Sequence, residues 1–226
     1  GSNTEVFGVV GHDHAANQLK DLLAAQHVNC NGCVTLAGVH TSIKSRIVAH
    51  NQQVVRVDRE TRDDLDERAT GRLLEAISAR LPKVDAVIVG DYGKGVVTQR
   101  LLNELRALCR ARGIWLSLDP KPIHQLDLRG LSLITPNRKE AYELAGVHDG
   151  ARGKDPLKDE TLLGVARKLL GELTPAMLLV TPLSVFAVLC GLEFHPFACP
   201  LFSTRSSGPI DCSPSAPLSA RCQWKV

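Results

Sequence analysis

Up to about Leu192 the chain alternates short unbroken apolar runs with stripes spaced three and four residues apart. The runs predict strands over residues 5–10, 34–37, 43–49, 53–58, 86–89, 114–118, 131–135 and 177–181. The stripes predict helices. Leu19, Leu22 and Leu23 mark one over 14–26, and Leu73, Leu74, Ile77 and Leu81 mark one over 69–81. Leu101, Leu102, Leu105, Leu108 and Cys109 mark one over 98–112. A shorter helix follows over 139–145, and Leu162, Val165, Ala166, Leu169 and Leu170 mark one over 161–173. In Val54-Val55-Arg56-Val57-Asp58 polar residues alternate with Val, as on a half-exposed strand.

Buried strands alternating with amphipathic helices predict an α/β fold, a mainly parallel sheet with helices on both faces. Right-handed crossovers then bring the C-terminal ends of the strands to one edge, where ligands bind. Residues 173–192 run without a charge, but Pro175, Pro182 and Gly191 interrupt them. Two buried strands split at Pro182 fit this stretch better than a membrane span. Beyond residue 192 periodicity stops, and residues 193–226 carry five prolines and no helix or strand pattern, which predicts an irregular tail.

Composition narrows the classes. A chain of 226 residues with 44% hydrophobic and 23% charged residues is ordinary for a soluble globular protein. The net charge of +3 and the 4% aromatic content argue against nucleic acid as a partner. Seven cysteines, four of them in the last 37 residues, make no disulfide framework and point to a reducing, cytoplasmic compartment. The start is polar, without the basic and apolar regions of a signal peptide.

Three loops follow three predicted strands. Gly90 leads into Asp91-Tyr92-Gly93-Lys94-Gly95, Leu118 into Asp119-Pro120-Lys121-Pro122, and Thr135 into Pro136-Asn137-Arg138-Lys139-Glu140. On one sheet edge they would gather carboxylates, lysines and an Asn in one crevice, which suits phosphate groups and Mg²⁺. Each loop also has a plain structural reading. Asn137-x-x-Glu140 is a helix capping box, and the other two are turn sequences. Cys30-x-x-Cys33 lacks the second ligand pair a structural zinc needs, and His12 and His14 fit surface positions. Neither Gly-x-x-x-x-Gly-Lys-Ser/Thr nor a strand-borne Gly-x-Gly-x-x-Gly occurs, so P-loop chemistry is excluded and a dinucleotide site disfavoured.

Residues 51–58 (Asn-Gln-Gln-Val-Val-Arg-Val-Asp), Asp91-Tyr92-Gly93-Lys94-Gly95, Asp119-Pro120-Lys121 and Thr135-Pro136-Asn137-x-x-Glu140 occur in this order in a known group. Over residues 4–190 the chain resembles the ribokinase-type (phosphofructokinase-B) sugar kinases, and its first two motifs are similar to those of the heptose 7-phosphate kinases among them. The resemblance implies a ribokinase-like fold with a small β lid from residues 41–58. It implies ATP and Mg²⁺ as cofactors and phosphorylation of a sugar phosphate at its anomeric hydroxyl, a step toward ADP-heptose for lipopolysaccharide. It assigns Asn137, Arg138, Lys139 and Glu140 to the nucleotide, with Glu140 also toward the metal. Lys44, Arg46, Asp91, Lys94, Asp119 and Lys121 fall to the substrate or phosphate. The implied partners are the sugar phosphate and a second copy of the chain meeting through residues 41–58, with neither nucleic acid nor membrane.

Such kinases also carry an earlier strand–helix segment with a sugar-gripping Asp, and a Gly-Ala-Gly-Asp signature whose Asp is the general base. Neither occurs in the sequence, so no catalytic residue is assigned. The expectation is a family domain over residues 1–192 lacking both ends, with 193–226 as an aberrant tail.

Overall fold

The computed structural model describes residues 2–50, 52–123, 125–150 and 158–181, together with the backbone of Ala187–Cys190. Among the described residues nine strands and five α-helices run in the order β1 (Glu5–Gly11), α1 (His14–Ala25), β2 (Asn29–Leu36), β3 (Ile43–Ala49), β4 (Gln52–Arg59), α2 (Glu67–Ser78), β5 (Ala86–Gly90), α3 (Gln99–Arg112), β6 (Trp115–Asp119), β7 (Leu133–Ile134), α4 (Arg138–Ala145), α5 (Glu160–Leu173), β8 (Met177–Val180) and β9 (Ala187–Cys190).

Helices begin where a short polar side chain can take up a free backbone N–H. Asp13, Asp66, Thr98, Asn137 and Asp159 cap α1 to α5 in turn. At the far end of α3, Gly113 sits at φ 66°, the left-handed conformation that stops a helix at least cost when no Cβ is present.

The main sheet has the order β5-β6-β7-β8-β9, parallel except for the antiparallel edge strand β9. Successive side chains of β6 point to opposite faces, yet Leu116, Ser117 and Leu118 are all buried, so both faces are covered. Leu118, Ile134 and Leu178, on three adjacent strands, are 0% exposed. They share one core with Leu73 and Ile77 of α2, Leu102 and Leu105 of α3, Tyr142 of α4, and Val165 and Leu169 of α5.

Two further pairs stand apart among the described residues. β1 and β2 form a parallel pair, and β3 and β4 an antiparallel one. The second pair is the expected lid segment in secondary structure. Its apolar side chains Ile47, Val48, Val54, Val55 and Val57 are 43–66% exposed.

The structure corrects several boundaries. β2 starts at Asn29, five residues before the predicted strand, because Asn29 and Gly32 pair with Glu5 and Phe7 of β1 across a bulge at Cys30 and Asn31, without carrying an apolar signal. Helix α2 stops at Ser78, and Leu81–Lys83, with Pro82 inside it, makes a separate 3₁₀ turn. The strand expected over 131–135 shrinks to two residues, and beyond it Pro136 O accepts from Thr181 N–H at 3.0 Å and Asn137 makes an isolated bridge with Thr181. Leu22 of α1, expected on an inward stripe, is 67% exposed, and Ala16 is the buried residue of that helix. The two-strand reading of the uncharged stretch holds as the β8–β9 pairing, and no helix of the described residues is long and apolar enough to cross a membrane. Pro182 and the expected tail of 193–226 lie outside the described residues.

Candidate active site

Because β5, β6 and β7 are parallel, their C-terminal ends share an edge. The chain leaving each strand is tied to its neighbour there. Asp91 N–H donates to the Asp119 carbonyl at 3.0 Å, and Thr135 N–H to the Leu118 carbonyl at 3.0 Å. A cavity of about 360 Å³ opens above this edge. Asp91, Tyr92, Lys94, Asp119, Lys121 and Glu140 line it from the sheet, and Lys44, Arg56, Asp58, Glu60 and Arg62 from β3, β4 and the segment after β4.

Asp91 is 6% exposed. Its Oδ1 accepts from Gly93 N–H at 2.8 Å, which folds the loop, while Oδ2 is buried with no hydrogen-bond partner among the described residues. A buried carboxylate oxygen in that state is short of a proton donor or a cation. Two residues on, Gly95 has φ 72°, and a Cβ there would lie 2.1 Å from the Asp63 carbonyl oxygen, so the loop presses directly on the segment leaving β4.

Asp119 ends β6. Displacement of water by the surrounding protein pushes its carboxyl above the usual range, and the Glu140 carboxylate pushes the same way. Across from it, Lys121 Nζ donates to Glu140 Oε1 at 3.1 Å.

Glu140 is 7% exposed and serves two structures at once. Its Oε2 accepts from Asn137 N–H at 2.9 Å, while Asn137 Oδ1 accepts from Glu140 N–H at 3.0 Å, so the capping box is formed. The other oxygen faces Lys121 and the cavity. A negative charge in the first turn of a helix is favoured by the helix dipole. Capping and cavity lining are thus compatible duties of one side chain.

The sequence-derived candidates divide. Lys44, Asp91, Lys94, Asp119, Lys121 and Glu140 come together around the cavity. Asn137 stands at its margin as the cap, while Arg46, Arg138 and Lys139 are not among the lining residues. Arg46 is exposed on β3 opposite Arg56. Arg138 donates to Asp149 at 3.0 Å, to Asp159 at 2.8 Å and to the Tyr142 hydroxyl at 3.0 Å, with its guanidinium over the Tyr142 ring. Those carboxylates hold its pKa above the ordinary arginine value. It fastens α4 to the start of α5. Lys139 pairs with Glu143 on the solvent side of α4 at 3.5 Å.

Arg56, Asp58 and Tyr92 stand in the sequence motifs without an assigned site role, and Glu60 and Arg62 stand outside them. The signal was present for four of them. Arg56, Asp58, Glu60 and Arg62 are charged at every second position, and that period carries one face of a strand onward into the cavity wall. Tyr92 has only its place in the Asp-Tyr-Gly-Lys-Gly motif. Its ring folds back over Gly90, where a Cβ would lie 3.2 Å from it.

Among the described residues no group of three His, Cys, Asp or Glu is gathered closely enough to hold a metal by itself. Cys30, Cys33 and Cys109 are free thiols, and burial raises the pKa of the last two.

Comparison with known proteins gives the family and the fold. Residues 1–181 match the family described as pfkB family carbohydrate kinase. Bifunctional protein HldE of Desulfatibacillum aliphaticivorans is 35% identical over 176 residues, covering 78% of this chain and 34% of that protein. Bifunctional protein HldE of Wolinella succinogenes is 40% identical over 140 residues, covering 62% of this chain and 30% of that one. The chain thus spans about a third of the length of these curated relatives. Among solved structures, Arabidopsis thaliana ribokinase complexed with ribose and ATP superposes with a TM-score of 0.60 at 14% identity, covering 85% of this chain and 59% of that one. Escherichia coli phosphofructokinase-2 in complex with potassium gives 0.60 at 13% identity, with 86% and 63% covered. The fold is therefore ribokinase-like.

Proposed function

Because the chain belongs to the pfkB family of carbohydrate kinases, we propose that its cavity binds Mg·ATP and a sugar phosphate, and that the kinase built on it phosphorylates D-glycero-β-D-manno-heptose 7-phosphate at the anomeric hydroxyl. The observation that carries this reading is the convergence of Asp91, Lys94, Asp119, Lys121 and Glu140 on one sheet edge, facing Lys44 and Arg56 on the paired strands. The substrate assignment draws on the likeness to the HldE proteins and makes the reaction a step toward ADP-heptose in a cytoplasmic setting. The free thiols at Cys30, Cys33 and Cys109 favour such a reducing compartment.

Magnesium suits the residues present. It keeps several waters and takes one or two carboxylates together with substrate phosphates. Glu140 and the unpartnered Oδ2 of Asp91 supply such carboxylates without forming a closed cage. When bound, the ion would neutralise charge on the nucleotide's β- and γ-phosphates. Asn137 and Glu140 would orient the nucleotide from the capped turn, and Lys121 and Lys44 would meet phosphate oxygens. A second copy of the chain would cover the exposed apolar residues of β3 and β4, as the resemblance implies.

The sequence contains no Gly-Ala-Gly-Asp, and this favours a second reading, a nucleotide-binding and dimerising remnant without turnover. An assay of ADP release with heptose 7-phosphate, run beside calorimetric titration of Mg·ATP into the purified 226-residue chain, separates the two. Turnover that Glu140→Ala abolishes supports the kinase. Saturable Mg·ATP binding without turnover supports the remnant. Failure of both Mg·ATP and heptose 7-phosphate to bind overturns both.

A further inference from the structure

Among the described residues β3 and β4 pair only with each other, so the position of Lys44 and Arg56 above the strand ends depends on how the two stems of this pair are held. The first stem is residues 40–42. Thr41 N–H donates to Asp13 Oδ2 at 2.9 Å, and Thr41 Oγ1 accepts from Gly11 N–H at 2.9 Å. The second stem is residues 59–62. The stems meet where His40 N–H donates to Thr61 Oγ1 at 3.0 Å and Arg59 bonds the His40 ring at 3.0 Å.

Lys94 joins both stems to the sheet. Its ammonium forms an ion pair with Glu60 on the second stem and lies 3.4 Å from Ser42 Oγ on the first. The Lys94 side chain is 19% exposed and that of Glu60 9%, so the pair is largely covered. The backbone reinforces it one residue on. Gly95 O accepts from Leu65 N–H at 2.9 Å, and the Asp63 carbonyl fills the space a Cβ of Gly95 would need. The Lys94 and Arg62 cations together hold the Glu60 carboxyl below the usual carboxylate range.

We propose that Lys94 is a positioning residue that locks the two stems of the β3–β4 pair to the loop after β5, and so sets where Lys44 and Arg56 stand over the cavity, instead of gripping a phosphate itself. Its charge is already committed to Glu60 and it also reaches Ser42, whereas no ion pair of the described residues engages Lys44. The consequence for ligand binding rests on the cavity being the sugar-phosphate site. The consequence for the stems does not.

Hydrogen exchange on the full chain reads the stems directly. In Lys94→Gln, amides of residues 40–44 and 58–62 should exchange about tenfold faster, the scale of losing a hydrogen bond to a charged group, with the β6 ladder unchanged. Lys94→Arg should restore protection to within about twofold of the parent chain. Equal protection in Lys94→Gln overturns the proposal. So does uniform loosening of stems and β6 together, because the contact would then serve the whole fold. Titration with heptose 7-phosphate supplies the second arm. If Lys94 acts through Glu60, then Glu60→Gln weakens binding as much as Lys94→Gln, and the double variant adds nothing. Glu60→Gln binding as tightly as the parent chain, with Lys94→Gln weakened, would show that Lys94 grips the ligand and overturn it. Heptose 7-phosphate failing to bind the parent chain would count against the substrate reading and leave the exchange result to decide the role of Lys94.

Discussion

The floor of the cavity and its roof carry the same kinds of side chain on opposite kinds of support. Asp119 and Glu140 belong to strand ends beside Leu118 and Ile134, which are 0% exposed, Asp91 follows Val89 at 9%, and backbone hydrogen bonds tie one strand end to the next. Lys44, Arg56 and Asp58 stand on two strands that, among the described residues, pair only with each other and whose apolar side chains from Ile47 to Val57 are exposed. The floor's geometry comes from buried area. The roof's comes from a few polar fastenings at its stems. Charges on a rigid floor can be held in place before a ligand arrives, whereas charges on a fastened roof can move to admit one. A divided site of this kind fits a reaction in which two substrates must enter and then be shielded from water.

The sharpest way to break this comparison is to cut the same chemistry from both supports. Ile134→Ala removes a fully buried side chain from the centre of the sheet and should cost about 2–5 kcal/mol of stability. Val55→Ala on β4 should cost no more than about 0.5 kcal/mol, because Val55 is 43% exposed. Urea unfolding of both variants checks this, and similar losses would erase the distinction between floor and roof.

The next effect falls on ligand binding. Glu140→Gln keeps a side chain able to close the capping box and removes only the charge. Mg·ATP affinity should fall about 10–100-fold, the usual penalty for altering a group around a bound metal, with the melting temperature nearly unchanged. Glu140→Ala should lose the same affinity and in addition about 0.3–1 kcal/mol of stability from the bare helix terminus. Calorimetry and thermal melts on the two variants separate the capping duty from the ligand duty. Unchanged affinity in Glu140→Gln would leave the cap as the residue's whole role.

Much of the floor was legible in the sequence, because its signals are local. A strand, a turn residue and a capping box each occupy a few consecutive positions, and the parallel topology that brings them to one edge follows from strand–helix alternation. The roof was legible as two strands but not as a wall. Glu60 and Arg62 act only once β4 passes its last ladder pair and the chain bends against Gly95, a tertiary contact no local pattern announces. Arg138 misled in the other direction. Its place in the Asn-x-x-Glu turn suggested the nucleotide, but its partners Asp149 and Asp159 lie 11 and 21 residues away, and they draw it toward α5. The start of β2 is silent in the sequence because a strand opening Asn-Cys-Asn-Gly carries no run of apolar residues.

Holding charge on the floor has a cost that pH should expose. The Asp119 pKa is raised by burial, so the folded state holds the proton more tightly than the unfolded chain does. The resulting destabilisation is absent below the unfolded value of 3.8, grows as pH rises through the folded value, and is complete at neutral pH. Asp119 is exposed as a residue, so solvent discounts this cost, and Asp119→Asn should raise the neutral-pH melting temperature only slightly, with the gain shrinking as pH is lowered. At the stem of the roof the sign reverses. Asp13 is lowered to about 2, chiefly by its bond from the Thr41 backbone, so the fastening it provides is kept above the unfolded value of 3.8 and lost as pH falls toward 2. A gain for Asp119→Asn that is constant from pH 7 to pH 4 would show that its carboxylate is not the strained group.

The smallest effect on stability, and the most informative about the roof, is expected from Val55→Lys or Val57→Lys. Both side chains belong to the apolar set exposed on β3 and β4, together with Ile47, Val48 and Val54. A long cationic side chain on an exposed strand is easily solvated, so each variant should unfold within about 0.5 kcal/mol of the parent chain. If a second copy covers this surface, burying that charge against an apolar partner is unfavourable, and sedimentation velocity should show the dimer lost while the melting curve stays in place. The parent chain sedimenting as a monomer at the same concentration would remove the second copy from the picture. The roof would then rest on its stems alone, and the fastening through Lys94, Glu60 and Asp13 would carry all of its positioning.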